Sequence, residues 1–319
     1  MEEAIKNFHK QFEYEPIIRN SEKLKEKYDH FILCGMGGSH LAAGIIKMQI
    51  PGIELYVHKD YDLPPYDDEF FKKSLLIASS HSGNTEEVLS FLRAGIEKGY
   101  DVAVITTSGK LFEIAVSQQL PHIVIPDGGL EPRSALGFSS LALAKILRND
   151  ELLKQLKEAG KSIKPDILKE EGRSLANVIS NKTPIIYSSN QNLAIVYNWK
   201  IKFNETGKIP SFYNLFPELN HNEMQGFDDE ENSSKFHFIF LHDKTDHERI
   251  EKRMVVTSKI FEEKGFSVSN LELVGQNTLE KIFNSLLIAD WTALEIAKSN
   301  AKNPQSVLMI EDFKQRLNQ

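Results

Sequence analysis

The chain has 319 residues, of which 41% are hydrophobic and 26% are charged, so its composition is that of a folded globular protein and excludes a largely disordered one. A chain of this length buries more than one small core and predicts two domains. Its net charge of -7 argues against nucleic acid or an anionic membrane surface as the main partner.

No run of apolar residues approaches the roughly 18 that a membrane-spanning helix needs. The start, Met1-Glu2-Glu3, is acidic where a secretory signal is basic. We therefore expect a cytoplasmic protein with no membrane partner. The single cysteine, Cys34, has no second thiol in the chain to pair with, and it ends an apolar run. The sequence predicts a buried and inert thiol there.

In chain order, residues 2–28 are predicted to form a charged amphipathic helix that covers a core, with an interruption at Pro16. Its predicted inner positions are Phe8, Phe12, Ile17 and Leu24. Strand-like runs then alternate with helical patterns at about 39–49, 85–98 and 110–118. The predicted strands of this part are 31–34, 54–57, 75–79, 102–105 and 122–125. This alternation predicts a doubly wound parallel sheet in a first domain, residues 1–150.

Residues 149–182 are highly charged and poor in aromatic side chains, which predicts a helical connector. The alternation then resumes. The predicted strands are 184–187, 236–241 and 268–273, and the predicted helices are about 191–203, 246–264 and 278–300. We therefore expect a second α/β domain over residues 151–319, and an α/β fold class for the whole chain.

The segment 79–87, Ser-Ser-His-Ser-Gly-Asn-Thr-Glu-Glu, follows an apolar strand and precedes a helical pattern. Its hydroxyl side chains are dense. They belong to Ser79, Ser80, Ser82 and Thr85. Because a helix N-terminus offers unpaired amides and the positive end of the helix dipole, this segment is typical of an anion site, and of a phosphate site in particular. The alternative is a polar loop in which Asn84 or Thr85 caps the helix.

The turn 35–40, Gly-Met-Gly-Gly-Ser-His, follows the first predicted strand and opens a helix. As a dinucleotide fingerprint it is incomplete, because His40 replaces the third glycine and Asp60 lies further along the chain than usual. It remains a turn that lets the backbone approach a ligand. Since ligands bind outside the carboxyl ends of parallel strands, this turn and segment 79–87 are predicted to reach one small anionic molecule.

Three further motifs follow: Glu-Pro-Arg-Ser-Ala-Leu-Gly-Phe at 131–138, Lys-Phe-Asn-Glu at 202–205 and Phe-Pro-Glu-Leu-Asn-His-Asn-Glu at 216–223. Together with the two earlier segments, and in this order, they resemble the bifunctional phosphoglucose/phosphomannose isomerase family from about residue 34 to 298. The resemblance implies two flavodoxin-like sugar isomerase (SIS) domains. It also implies that glucose 6-phosphate, and mannose 6-phosphate, are interconverted with fructose 6-phosphate through a cis-enediol.

The resemblance assigns roles to four residues. Glu205 matches the base of the family, which carries a proton between C2 and C1. His221 and Lys298 match the residues assigned to ring opening, and a histidine suits proton transfer because its ordinary pKa is about 6.5. In the family this histidine comes from the partner subunit, so a homodimer is expected. Arg133 matches the arginine that faces the enediolate oxygen.

The resemblance also assigns the substrate contacts. The residues expected to hold the phosphate or the sugar are Gly37, Gly38, Ser39, Ser80, Ser82 and Thr85. Thr292 aligns with a small hydroxyl residue that leaves room for either configuration at C2. Neither a metal nor a redox cofactor is implied by proton-transfer isomerisation. Two departures from the family pattern, His81 and Thr206, adjoin matched positions and bear on substrate preference.

Two other functions stay open. A phosphosugar-binding regulator would use the same domain as a sensor without turnover. Such regulators usually bring a helix-turn-helix module, and the roughly thirty residues before the first strand leave little room for one. A retained fold with lost chemistry is the other alternative. The joint presence of Arg133, Glu205, His221 and Lys298 argues against it.

Overall fold

The computed structural model describes residues 1–229 and 232–317, and the chain divides into two compact units. The first unit spans Asn7–Ile163. The second unit contains Met1–Lys6 and the chain from Lys164 onward. No helix among the described residues combines the length and the apolar character that crossing a membrane requires.

The predicted alternation of strands and helices is confirmed in both units. The strands are, in chain order, β1 (His30–Cys34), β2 (Leu55–His58), β3 (Ser74–Ser80), β4 (Val102–Thr106), β5 (His122–Val124), β6 (Thr183–Ser189), β7 (Phe212–Phe216), β8 (Phe236–His242) and β9 (Ser267–Glu272). The α-helices are, in chain order, α1 (Glu2–Lys6), α2 (Leu41–Gln49), α3 (Asp68–Lys72), α4 (Glu86–Glu97), α5 (Gly109–Ser117), α6 (Leu136–Ile146), α7 (Asp150–Ser162), α8 (Lys169–Ile179), α9 (Leu193–Lys202), α10 (Glu248–Glu263), α11 (Thr278–Ser299) and α12 (Leu308–Leu317).

The first unit contains a five-stranded sheet with the order β2-β1-β3-β4-β5, and all its strand pairs are parallel. Every residue of β3 is buried, as expected for a central strand with helices on both faces of the sheet. The order is that of a flavodoxin-like doubly wound sheet, in which the order of strand addition reverses between β1 and β3 while the strands stay parallel. The predicted fold class is therefore confirmed, and the carboxyl ends of β1 and β3 are where such a sheet binds ligands.

The second unit contains a four-stranded parallel sheet with the order β7-β6-β8-β9. This order repeats the arrangement of the first four strands of the first sheet, which fits the expected second α/β unit. Strand β7 was not predicted from the sequence. It lies at the edge of the sheet, where Phe212 is exposed and only Phe216 is buried, so it lacks the apolar run of a central strand.

The long helix predicted over residues 2–28 is wrong. Helix α1 ends at Lys6, and 3-10 turns follow at Phe8–Glu13 and Ser21–Lys23. The chain is extended at Tyr14 and Pro16 offers no amide hydrogen, so no single helix can run through this part of the segment. Three predicted inner residues are buried, but Ile17 is 63% exposed.

The units separate after Ile163 and not after residue 150. Helix α7 buries Leu152 and Leu156 within the first unit. It also approaches the N-terminal 3-10 turn closely, because a Cβ on Gly160 would lie 2.3 Å from Cβ of Phe12. The first part of the charged connector thus belongs to the first unit, and the second unit resumes at Lys164.

Cys34 is buried, as the sequence predicts. Burial, helped by the negative charges of Glu87 and Asp60, raises the pKa of its thiol to about 12. The thiolate, which is the reactive form, is therefore disfavoured at neutral pH.

Candidate active site

The serine-rich segment, residues 79–87, begins at the carboxyl end of β3. Ser80 Oγ lies 2.8 Å from Thr85 Oγ1 and accepts a hydrogen bond of 3.1 Å from the Gly83 amide. Thr85 stands at the N-cap position of α4, but its hydroxyl bonds with Ser80 in place of capping the helix. The first amides of α4 are thus left without a cap from Thr85, which is the arrangement that favours a bound anion.

Two glycines lock this segment to the loop that follows β4. Gly83 has a φ of +66°, and a Cβ there would lie 1.8 Å from the carbonyl oxygen of Ser108. Gly109 has a φ of +76°, and a Cβ there would lie 2.4 Å from the carbonyl oxygen of Ser82. The amide of Leu111 also donates to the carbonyl of Gly83 over 2.9 Å. Glycine is required on both sides of this close contact.

The glycine turn after β1 is in contact with the serine-rich segment. Ser79 Oγ donates to the Ser39 carbonyl over 2.9 Å, and the His81 amide donates to Ser39 Oγ over 3.1 Å. Gly37 has a φ of +52° and is exposed, whereas Gly38 is buried. The structure therefore brings together the two segments that the sequence assigns to one ligand.

Arg133 lies in the 3-10 turn Pro132–Ser134 of the same unit and is 1% exposed. A Cβ on Gly38 would lie 2.5 Å from the Arg133 backbone nitrogen, so only glycine permits this approach. The guanidinium lies 3.5 Å from a Glu131 carboxylate oxygen. A small cavity at this edge of the sheet is lined by Ser39, Ser79, His81, Ile105, Ile125, Pro132 and Ser139.

Gln11 supports the Arg133 turn and was missed from the sequence. It is 3% exposed, and its side-chain amide donates to the Ser134 carbonyl over 2.7 Å. Its side-chain oxygen accepts from the Gly137 amide over 2.9 Å. A lone glutamine in an N-terminal segment carries no signal of this contact, because the partner lies more than a hundred residues away in the chain.

In the second unit, Glu205 lies in a π-helical turn, Phe203–Gly207, at the end of α9. It is partly buried. The turn is held by Asn204, whose side-chain amide donates to the Ile209 carbonyl over 3.0 Å, and by Lys208, whose ammonium donates to the Glu205 carbonyl. Such turns are frequent at functional sites, and here the turn fixes the backbone of the predicted base.

A buried ion pair lies next to this turn. Lys202 is 1% exposed, and its ammonium lies 2.7 Å from a carboxylate oxygen of Asp290 on α11. Buried ions of this kind are stable only when paired and hydrogen-bonded. The sequence motif contained Lys202 but did not identify Asp290, since the two are far apart in the chain.

His221 ends the 3-10 turn Glu218–His221 and is exposed. Its ring has no hydrogen-bond or ion-pair partner among the residues that the structure describes. The turn follows β7, and the peptide bond between Phe216 and Pro217 is cis. The imidazole therefore lies at the surface of the second unit.

Lys298 lies in the last turn of α11 and is exposed. Its ammonium lies 3.0 Å from a Glu2 carboxylate oxygen and 2.9 Å from one of Glu295. Partial burial acts to lower the pKa of Lys298, but hydrogen bonds to Glu295 and Glu2 outweigh it and the pKa is raised. The lysine is therefore cationic at neutral pH.

Thr292 is fully buried in α11, and its hydroxyl donates to the Ile288 carbonyl over 2.7 Å. Helix α8 lies against it, since a Cβ on Gly172 would be 3.0 Å from the Thr292 nitrogen. The hydroxyl is engaged with its own helix here. Direct contact with a substrate would require the side chain to become exposed.

The predicted site residues occur in both units. Those in the first unit are Gly37, Gly38, Ser39, Ser80, Ser82, Thr85 and Arg133. Those in the second unit are Glu205, His221, Thr292 and Lys298. The first unit thus contains the hydroxyl-rich segment and a buried guanidinium. The second unit contains a carboxylate, an imidazole and an ammonium group.

Comparison with known proteins gives consistent results. A family model described as the bacterial phospho-glucose isomerase C-terminal SIS domain matches residues 168–317. A bifunctional phosphoglucose/phosphomannose isomerase from Aquifex aeolicus is 32% identical over 320 residues, which are 98% of this chain and 97% of the relative.

A D-glucosamine-6-phosphate 4-epimerase from Sulfolobus acidocaldarius is 27% identical and covers 96% of this chain and 95% of its own length. Among solved structures, a protein from Thermus thermophilus superposes with a TM-score of 0.73 over 99% of this chain and 88% of that chain. Its sequence identity is 16%, so that likeness concerns the fold alone.

Proposed function

Because this chain belongs to the family of bifunctional phosphoglucose/phosphomannose isomerases, we propose that it interconverts glucose 6-phosphate, and also mannose 6-phosphate, with fructose 6-phosphate. The observation that carries the proposal is the similarity to the Aquifex aeolicus isomerase, which extends over 98% of the chain. In this reaction a base removes the proton on C2 of the aldose while O1 gains a proton, which gives a cis-enediol. The O2 hydroxyl then loses its proton as C2 becomes the carbonyl carbon, and the base returns its proton to C1 of the ketose.

The phosphate group would be held in the first unit by the hydroxyls of Ser80, Ser82 and Thr85 together with the first amides of α4. Ser80 and Thr85 are already joined by a hydrogen bond of 2.8 Å, so both hydroxyls are oriented before the ligand arrives. Gly38 and Ser39 would contact the sugar or its phosphate. A preformed cradle of this kind lowers the entropic cost of positioning C1 and C2.

Glu205 would serve as the base and Arg133 as the cation beside the enediolate oxygen. A single carboxylate suffices because the same proton can leave C2 and return at C1. The buried position of Arg133 favours this role, since a fixed charge shielded from water stabilises a developing oxyanion more strongly than an exposed one. The assignment of Thr292 to the C2 pocket stays a prediction.

His221 and Lys298 would assist ring opening, in which a proton moves from the O1 hydroxyl to the ring oxygen. We propose that the protein is a homodimer in which His221 of the partner subunit completes each site. The exposed ring of His221, which has no partner within the described chain, supports this arrangement. A cytoplasmic location, expected from the sequence, belongs to the same proposal.

Glu205→Gln tests the base directly. The amide cannot accept the C2 proton, so we expect turnover of glucose 6-phosphate to fall by about a thousandfold. Binding of fructose 6-phosphate, followed by isothermal titration calorimetry, should stay within about threefold because the phosphate cradle is untouched. Near-normal turnover in this variant would refute the assignment.

The similarity to a D-glucosamine-6-phosphate 4-epimerase supports a second candidate, namely inversion at C4 of an amino phosphosugar. It shares the phosphate cradle and differs in the carbon that reacts. Incubation with glucosamine 6-phosphate, followed by proton NMR, separates the two. A new C4 epimer, with no aldose-ketose turnover of glucose 6-phosphate, would favour the epimerase.

A further inference from the structure

We propose that Glu223 is a positioning residue that holds His221 at its working place; this inference rests on the proposed ring-opening role of His221. Glu223 closes the motif 216–223, and the reaction scheme gives it no part. It lies two residues after His221, at the start of the 3-10 turn Glu223–Phe227.

The Glu223 carboxylate is held by two side chains from neighbouring strands. Tyr187 Oη donates to Glu223 Oε1 over 2.5 Å, and the side-chain amide of Asn214 donates to Glu223 Oε2. Tyr187 on β6 and Asn214 on β7 stand opposite each other in the strand register. Both carboxylate oxygens are thereby fixed to the sheet, which leaves the turn little freedom to move.

Tyr187 stays protonated and so can donate its hydrogen bond to Glu223. It is fully buried, and its ring packs 5.5 Å from that of Phe238 and 6.1 Å from that of Phe216. Burial, and then the adjacent charge of Glu223, raises the pKa of Tyr187. The phenol therefore keeps its proton at neutral pH and donates a hydrogen bond to the carboxylate, with the strength typical of a hydrogen bond to a charged group.

The other flank of His221 is held as well. The side-chain amide of Asn220 donates to Thr257 Oγ1 over 2.9 Å, and Arg253 donates to the Asn220 side-chain oxygen over 3.3 Å. Both partners lie on α10. His221 is thus an exposed residue between Asn220 and Glu223, whose side chains are both held by hydrogen bonds. A side chain supported in this way is positioned before it meets a substrate.

A purely structural role for Glu223 is the competing explanation. In that case, substitution of Glu223 would lower the stability of the fold but would leave ring opening by the folded protein unchanged. Ring opening can be measured apart from isomerisation, because the α and β anomers of glucose 6-phosphate interconvert only through the open chain. Exchange between the anomers, followed by NMR, reports ring opening without removal of the C2 proton.

The experiment measures the rate of anomer exchange over a range of glucose 6-phosphate concentrations, up to saturation, in four variants. They are Glu223→Ala, Glu223→Gln, Tyr187→Phe and, as an exposed glutamate in the same unit, Glu262→Ala. We expect Glu223→Ala to slow catalysed exchange by about tenfold to a hundredfold, as for a misplaced catalytic group, with KM unchanged. Glu223→Gln keeps an oxygen for Tyr187 and should recover part of the rate. Glu262→Ala should match the wild type.

Two reference variants keep the outcomes distinct. Glu205→Gln should retain anomer exchange while losing isomerisation, and His221→Gln should lose anomer exchange. Wild-type exchange in folded Glu223→Ala, with His221→Gln impaired, would overturn the positioning role and leave the proposed function standing. Wild-type exchange in His221→Gln would refute the ring-opening role and the inference with it. If Glu223→Ala does not fold, Tyr187→Phe decides by the same criterion.

Discussion

Gly83 is the residue at which the proposed anion cradle depends most directly on the absence of a side chain. Gly83 has a φ of +66°, and a Cβ there would lie 1.8 Å from the carbonyl oxygen of Ser108. An alanine at this position would therefore have a strained backbone and would clash with a backbone atom. We expect Gly83→Ala to lower the free energy of unfolding in urea by at least about 2 kcal/mol. The affinity for inorganic phosphate, measured by calorimetry, should fall as well, because the segment must move.

Gly99 supplies the matched control for this prediction. Its φ is +71°, but a Cβ there would meet open space. Gly99→Ala should therefore show the backbone strain alone, about 1 kcal/mol, and leave phosphate affinity unchanged. Equal losses of stability in the two variants would show that the contact with Ser108 does not constrain the loop.

Helix α1 is joined to α8 and α11 of the second unit through one carboxylate. Glu2 lies 2.9 Å from Lys169 and 3.0 Å from Lys298. Hydrogen bonds from Lys169 and then Lys298 lower the pKa of Glu2 from its ordinary 4.5 to about 2. A lowered pKa means that this contribution to stability is full above the unfolded-state value and is lost as the pH falls through the folded-state value.

The pH dependence of Glu2→Gln tests this connection. The difference in free energy of unfolding between the wild type and the variant should be constant above pH 4.5 and shrink as the pH falls toward 2. Urea unfolding at a series of pH values measures it. Glu3→Gln, which removes one charge from the same helix, is the control. A difference that does not change with pH would contradict the pairing.

At the scale of elements, sequence periodicity located the central strands because parallel strands buried on both faces are continuous apolar runs. It failed where that rule fails. Strand β7 is an edge strand with an exposed Phe212, and the N-terminal segment is apolar at helical spacing yet its α-helix ends at Lys6. Local patterns carry no information on solvent exposure at the sheet edge.

In the candidate site as well, local features were predicted from the sequence and features formed by distant residues were not. Segments 35–40 and 79–87 were predicted from the sequence because the proposed phosphate cradle is local: the glycines and hydroxyls of each segment lie within a few residues of one strand end. The supporting contacts are not local. Gln11 with Ser134 and Lys202 with Asp290 join positions that are 123 and 88 residues apart, and no local spacing marks such pairs. Their identification required the structure.

At the scale of the whole molecule, the proposed dimer makes a prediction about mixed subunits. Glu205→Gln and His221→Gln should each be nearly inactive alone. If His221 acts in the site of the partner subunit, subunit exchange creates dimers with one intact site, and activity should return to about a quarter of the wild-type level. Activity is measured before and after mixing and reversible dissociation. No recovery in proven heterodimers would place His221 in its own subunit's site.

The central claim is that the protein is an aldose-ketose isomerase of phosphosugars. The most direct test is a coupled assay of the purified protein, in which fructose 6-phosphate formed from glucose 6-phosphate and from mannose 6-phosphate is measured separately. We predict product from both substrates, with both activities lost together in Glu205→Gln. Folded protein that turns over neither substrate, yet binds fructose 6-phosphate, would contradict the claim and favour a sensor without turnover.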